Sequence, residues 1–417
     1  MGGQTNYIER GTAAYRRANL ALFIAGFVTF STLYDFQPLL PVISREFGVS
    51  PAAGSLALSA ATFALAVTLP AAGTLSDAIG RRVLMGTALT LTSLLALATA
   101  VAPSVPALLA LRLAQGMVLA GVPAVAMAYL SDEMSPRAVG AAMGLYIAGN
   151  ACGGMTGRIL TAVLADHLPW RGAIAVIGIL SLTLSLMFWP LLPPSRRFHR
   201  RPFRLGPLTA SLLGHLREPR LLCLFALAFT CMGAFVTLYN YVTFRLLALP
   251  YFLSQSQVAL IFIAYAFGAF GSSAMGALVE RVGRSRILFT ALAVMTAGVV
   301  LTLLAPLAAV IAGIVVFTVG FFGAHAVASA WVGASTATAR AQASSLYLLF
   351  YYLGSSISGT GGGFVWSAWG WPGVVALILG LLGAALLAML RLTAMAPQPV
   401  ASPAPPLTPV ECGPAAE

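Results

Sequence analysis

The sequence predicts an all-α membrane protein with twelve transmembrane helices in two pseudo-symmetric six-helix bundles. Three observations carry this reading. Of the 417 residues, 59% are hydrophobic and only 8% charged, against about 45–50% and about 25% in a soluble domain. Roughly 246 apolar residues are close to what twelve spans of about 20 residues require. Lastly, the apolar runs fall into two sets of six that repeat each other at an offset of about 201–205 residues. So few charges cannot cover the surface of a soluble chain this long. A soluble enzyme, a nucleic-acid binder and a disulfide-stapled secreted domain are therefore excluded.

The first set of runs covers residues 18–41, 54–75, 83–102, 107–130, 138–164 and 173–192. The second covers 221–247, 257–278, 287–305, 307–331, 343–369 and 373–392. Each run is uniformly apolar and too long for a barrel strand, so each reads as a helix whose backbone bonds close within the segment. This divides the chain into a polar N-terminal segment (1–17), an N-terminal bundle (18–192), a basic central loop (193–220), a C-terminal bundle (221–392) and a tail (393–417). Beyond Arg391 the tail has seven prolines in 26 residues and no apolar period, which predicts disorder.

All 23 basic residues are arginine. With a cytoplasmic N-terminus, eighteen of them fall on cytoplasmic segments: Arg10, Arg16, Arg17, Arg81, Arg82, Arg137, Arg281, Arg284, Arg286, Arg340, Arg391 and seven in the central loop. The seven are Arg196, Arg197, Arg200, Arg201, Arg204, Arg217 and Arg220. That bias places both termini in the cytoplasm and the chain in the inner (plasma) membrane. The net charge of +12 is thus mainly an orientation signal, with an anionic-lipid contact at the central loop as a further use. Cys152, Cys223, Cys231 and Cys412 form no CxxC pair or metal-ligand spacing, and no cleavable leader precedes the first run.

The repeat is visible residue by residue. Phe30-Ser-Thr-Leu-Tyr34-Asp35-Phe36 returns as Phe235-Val-Thr-Leu-Tyr239-Asn240-Tyr241, and Leu145-Tyr146 with Gly153 returns as Leu346-Tyr347 with Gly354. Gly73-Thr-Leu-Ser-Asp77-Ala-Ile-Gly80-Arg81-Arg82 returns as Gly276-Ala-Leu-Val-Glu280-Arg-Val-Gly283-Arg284. Duplicated halves of this kind place a binding site between them near the membrane midplane. The GTLSDAIGRR loop resembles the G-x-L-x-D-x-x-G-R-R signature of the major facilitator superfamily, with the degenerate copy in the equivalent loop of the second half. The resemblance covers roughly residues 15–392. LYDFQPLLPVISREFGVS, LRLAQGMVLAGVPAVAMAYLSDE and YIAGNACGGMTGRIL look like its arabinose-efflux-permease-like group, near the bacterial drug/proton antiporters.

The resemblance implies secondary active transport by rocking of the bundles. It also implies that the loop latches the halves on the cytoplasmic side in one state of the cycle. From the residues themselves, Gly73 is expected to let helices approach, Gly80 to permit a tight turn, and Asp77 to pair with Arg81 or cap a helix. Ala78 stands where the family usually has a basic residue. Gly144, Gly149, Gly153, Gly154 and Gly157 permit close contact along the fifth span, but Asn150 follows Gly149 and the Gly-Pro pair of the antiporter signature is missing. No GxxxxGK[ST] loop is present, so no nucleotide drives transport and no cofactor is called for. Proton-coupled efflux is the leading expectation; uptake by symport or uniport, and a transporter-fold membrane sensor, are the alternatives. The partners are a small molecule, protons and the bilayer, with a monomeric chain, no enzymatic activity, no metal and no nucleic acid.

The candidate site rests on depth. At about 1.5 Å per residue, Asp35, Arg112 and Arg158 all sit roughly 8–9 Å below the outer boundary, and charges there face a partner or a watery cavity. Asp35 is the expected proton-titrating group, paired with Arg112 or Arg158. His325 is a second candidate carrier because histidine titrates near neutrality. Tyr34, Asp35, Arg112, Asn150, Tyr239, Asn240, Tyr347 and Tyr351 are expected to line the substrate cavity, with Phe36, Tyr241, Trp331 and Tyr352 as further aromatic candidates.

Overall fold

The computed structural model describes residues 7–198, 200, 205–336 and 339–395. Among these, ten stretches are both long and apolar enough to cross a membrane. The N-terminal half comprises α1 (Ala13–Glu46), α2 (Pro51–Ile79), α3 (Arg81–Ala100), α4 (Val105–Glu133), α5 (Val139–Ala165) and α6 (Trp170–Leu191). The C-terminal half comprises α7 (Pro219–Leu247), α8 (Gln255–Val282), α9 (Arg284–Leu301) and α10 (Leu307–Ala334), then one 55-residue helix, Arg340–Ala394. That last helix breaks at Gly370 (φ 58°, ψ −150°) into α11 (340–369) and α12 (371–394). With α5, which is 27 residues long but carries a run of glycines, Asn150 and Arg158, this makes twelve crossings among the described residues.

Three departures from the apolar pattern position the site. Regular α1 stops at Tyr34, because Pro38 and Pro41 cannot donate to the helical ladder; a 3-10 turn (Gln37–Leu39) and a short helix (Leu40–Glu46) follow. α4 breaks between Leu119 and Pro123 for the same reason. The central stretch 193–220, expected to be a plain polar loop, contains a helix at Leu205–Leu216. Of the tail expected to be disordered over 393–417, residues 393 and 394 instead complete the last helix, and the part from residue 396 lies outside the described residues, as do Arg201 and Arg204.

Within each half, glycine stripes set the helix spacing. An added Cβ at Gly149, Gly153 or Gly157 of α5 would come within 2.7 Å of the α1 backbone at Phe23, Phe27 and Ser31 respectively. The second half repeats this where an added Cβ at Gly354 of α11 would collide with the α7 backbone at Phe229. Such contact replaces the hydrophobic drive that lipid does not supply between helices. The stripe is narrower than expected, because Gly144 faces open space and Gly154 meets the side chains of Arg158 and Phe30.

The halves are joined at one end only. Thr62 on α2 and Ser356 on α11 share a 2.7 Å hydrogen bond, and Gly363 is pressed against Ala52. The Asp166 carboxylate, at the end of α5, accepts from the backbone N–H of Gln255 (3.0 Å) and Ser256 (2.8 Å), the first turn of α8. Among the described residues, no side-chain hydrogen bond or ion pair joins the two bundles at the opposite, arginine-rich end except through the linker. There His215 meets the Ala339 carbonyl, and Arg200 donates to the Ala78 carbonyl. The molecule is a V, shut at the Asp166 end and open at the arginine-rich end.

Candidate functional site

The end of α1 builds the first part of the site. A helix leaves its last carbonyls without intrahelical donors, and here Arg112 of α4 fills two of them. Its guanidinium donates to the carbonyls of Thr32 (3.0 Å), Leu33 (2.7 Å) and Ala57 (2.7 Å) and to Gln115 Oε1 (2.6 Å). A cation at a helix C-terminus is also favoured by the helix dipole. The Phe36 ring lies 4.6 Å from the guanidinium carbon. Asp35 comes last, with Oδ1 3.4 Å from Arg112 Nη1 and Oδ2 without a partner. Both residues are 0% exposed.

This corrects one expectation and narrows another. Asp35 and Arg112 do not line the cleft in this conformation; they face the interior of the N-terminal bundle, between α1, α2 and α4. Arg158 does not pair with Asp35. Depth was similar, but the direction in which each side chain leaves its helix separates them.

Arg158 instead forms a second centre where the halves meet. Its Nε donates to Gln37 Oε1 (2.6 Å) and its Nη1 to the Gly154 carbonyl (2.7 Å). Gln37 Nε2 in turn donates to Asn240 Oδ1 of α7 (2.8 Å), so a polar chain crosses from α5 through α1 into the other half. The guanidinium lies 3.9 Å from the Tyr34 ring centre, 4.9 Å from Tyr265 and 5.3 Å from Phe262. Arg158 forms no ion pair among the described residues.

The third group belongs to the C-terminal half. His325 Nδ1 is 3.1 Å from the Tyr347 hydroxyl, and its ring packs on Tyr351 (4.7 Å). The three share a small recess with Cys231 and Phe321. Tyr239 is fully buried inside this half, bonded to Thr318 (2.8 Å), and does not face the cleft. Asn150 sits in the α1–α5 seam against Gly26, apart from the Asp35 pair. Of the further aromatic candidates, Tyr241 bonds to the Gly359 carbonyl, Trp331 lies near Arg284, and Tyr352 is buried beside Tyr351.

At the arginine-rich end, Gly80 (φ 106°) and Gly283 (φ 90°) are one-residue links between helices, a backbone conformation that glycine adopts without penalty. Asp77 lies 3.7 Å from Arg81, whose closer partner is Asp132 at the end of α4 (2.6 Å). Arg82 donates to the Trp189 carbonyl. Gly73 makes no close helix approach: it is exposed, and an added Cβ there would meet nothing within 4 Å. Glu280 and Arg284 are exposed and form no ion pair among the described residues.

Sequence reasoning missed Gln37, Gln115, Asp132, Tyr265 and Asp166. Gln37 and Gln115 each stand three residues after a residue already singled out, Tyr34 and Arg112. On a helix or turn that spacing places side chains on one face.

Comparison with known proteins follows the same lines. The Major Facilitator Superfamily profile matches residues 21–249 and 243–414. The chain is 47% identical to the uncharacterized MFS-type transporter YybF of Bacillus subtilis, over 91% of this chain and 94% of that one. It is 46% identical to the inner membrane transport protein YnfM of Escherichia coli, over 93% of each. Among solved structures, a bacterial homolog to the human lysosomal transporter Spinster, inward-facing and unoccupied, superposes with a TM-score of 0.75 at 17% identity, covering 94% of this chain and 98% of that one.

Proposed function

Since the chain belongs to the major facilitator superfamily and is a membrane transporter of that type, we propose that it is a proton-coupled carrier exporting a small molecule, with its arginine-rich end in the cytoplasm. The orientation is supported by the arginine bias, 18 of 23 on one side. Export is supported by the opening of the V toward that same end, which offers the cleft to cytoplasmic solutes.

Proton coupling is carried by one observation, the Asp35–Arg112 pair. A charge at the centre of a span costs about 2.5–3.5 kcal/mol on insertion scales and somewhat less at the depth of Asp35, so a fully buried carboxylate there has a use. Arg112 keeps four other oxygen acceptors besides Asp35. Protonation therefore removes a charge attraction without stranding the guanidinium. It loosens the grip of α4 on the end of α1, the segment that carries Tyr34 and Gln37 to the seam. The proton acts through helix packing, not by touching the substrate.

Resistance profiling of deletion and overexpressing strains identifies a substrate, and proteoliposomes then give the test. Asp35→Asn should still exchange substrate across the membrane without a gradient, while pH-driven accumulation disappears. Wild-type coupling in that variant overturns the assignment. One observation favours uptake by symport as a second reading. With Asp35 neutral, Arg112 and Arg158 leave two positive charges in the N-terminal bundle, and a proton and an anionic substrate then attract each other. Acid outside a vesicle of matching orientation drives substrate out in the first reading and in under the second.

A further inference from the structure

We propose that Arg158 binds the anionic group of the transported molecule, and that this molecule is a small organic anion with an apolar body. The proposal rests on the reading of the chain as a transporter, but not on proton coupling.

Arg158 is the starting point because its charge is not answered. Asp35 and Arg112 neutralise one another, whereas the Arg158 guanidinium meets only a carbonyl, an amide oxygen and three rings. The residue is 4% exposed, so water does little to offset that charge. A guanidinium has five N–H donors; here one on Nε and one on Nη1 are used, and Nη2 donates to no described residue. The Tyr34 ring, 3.9 Å away, covers the face of the group. Its free donors therefore lie at the edge, the geometry that takes a carboxylate.

Its place in the fold is what a carrier requires. Tyr34 and Gln37 belong to the same half as Arg158, while Phe262, Tyr265 and Asn240 belong to the other. When the Asp166 end opens, the second set leaves with its bundle, and the same guanidinium faces the newly opened side. One cation thus addresses both sides of the membrane in turn.

The surroundings choose an organic anion over an inorganic one. Phosphate or sulfate is held by several donors converging from backbone and side chains, and here one arginine stands among rings. From Tyr265 the rings continue toward the open end through Phe322 (5.6 Å), Phe321 (5.5 Å) and Tyr351 (6.3 Å). Tyr265, Phe322 and Tyr351 are partly exposed. They offer a surface for an apolar or aromatic body about one ring away from the charge.

The test uses the full-length protein, purified in detergent, with defined probes: benzoate, 3-phenylpropionate and hexanoate as anions, benzamide as the neutral counterpart, benzylammonium as the cation, and sodium chloride at matched ionic strength. Binding is read by calorimetry and by the rise in unfolding temperature with ligand concentration. At least one carboxylate should bind at least tenfold more tightly than benzamide and benzylammonium. Arg158→Gln should lose at least tenfold in carboxylate affinity with benzamide unchanged, and Arg158→Lys should fall between. Binding is read at equilibrium with no gradient, so wild-type coupling in Asp35→Asn would sink the coupling reading alone and leave this proposal standing. The proposal is overturned if no carboxylate binds, if benzamide or chloride has an equal effect, or if Arg158→Gln binds carboxylates normally. Should Arg158→Gln not fold, Arg158→Lys and the comparison of probes on the wild type decide.

Discussion

Replacing Asp166 with alanine should open the shut end of the V. Asp166 lies outside the spans, at the end of α5, and its two oxygens receive the first two N–H groups of α8, at 3.0 and 2.8 Å. Hydrogen bonds to a charged group are worth about 1.5–3 kcal/mol each when shielded, and a carboxylate at a helix N-terminus adds about 0.3–1 kcal/mol. Asp166 is exposed, so solvent screening reduces the total to about 1 kcal/mol. That lowers the ratio of shut to open molecules about fivefold; an open population of about 5% rises to about 20%. Spin labels at Leu168 and Leu249, both exposed near that end, report the change as growth of a longer-distance population by pulsed electron resonance. The latch should not respond to pH between 5 and 8. Burial pushes the Asp166 carboxyl up, but bonds from the Ser256 side chain and backbone, the Gln255 backbone and the Ser254 side chain outweigh it and hold the group below its ordinary value. A carboxylate lowered in the shut state contributes above its open-state value, about 3.9, and fails only as pH falls through the lower one. An unchanged distance distribution in Asp166→Ala, or a wild-type latch that releases at pH 6, refutes the reasoning.

Two further outcomes are expected. Gly153→Ala forces a Cβ within 2.5 Å of Phe27 and should cost about 1–3 kcal/mol, lowering the unfolding temperature, whereas Gly144→Ala meets nothing and should be neutral. Asp77→Asn loses a partly exposed 3.7 Å pair with Arg81, worth below about 1 kcal/mol, and should reduce flux at matched protein level with little change in stability; unchanged flux would leave the loop with only an orienting role.

The fold was largely legible because a bilayer admits so few solutions. A uniformly apolar run must close its own hydrogen bonds, and even the gap between residues 369 and 373 marked the break at Gly370. What escaped was local. The linker helix at Leu205–Leu216 is short and follows a run of arginines, so its apolar face did not stand out. At the site, depth along the spans was readable and azimuth was not. Asp35, Arg112 and Arg158 lie at similar depth, yet the stop of α1 at Tyr34 turns Asp35 toward α4 and Gln37 toward α5. An apolar run says where a helix crosses, but the prolines that end it decide which neighbour each side chain meets.

The two halves share a backbone plan but divide the chemistry. Their glycine stripes and one-residue glycine links match, at Gly153 with Gly354 and at Gly80 with Gly283. Where the first half has Asp35, the second has the neutral Asn240; the charges set well inside the spans, Asp35, Arg112 and Arg158, belong to the first, and those of the second, Arg245 and Arg391, stand in last turns. The second half brings rings instead: Tyr265 against Arg158, then Phe322, Phe321 and Tyr351. A site split in this way is completed only where the bundles meet, with the cation on one wall and the apolar surface on the other. Rocking one bundle against the other moves the rings relative to a fixed charge. The grip on an amphipathic anion is then strongest when both walls close on it and weakens as either end opens, so the same motion that changes access also releases the cargo.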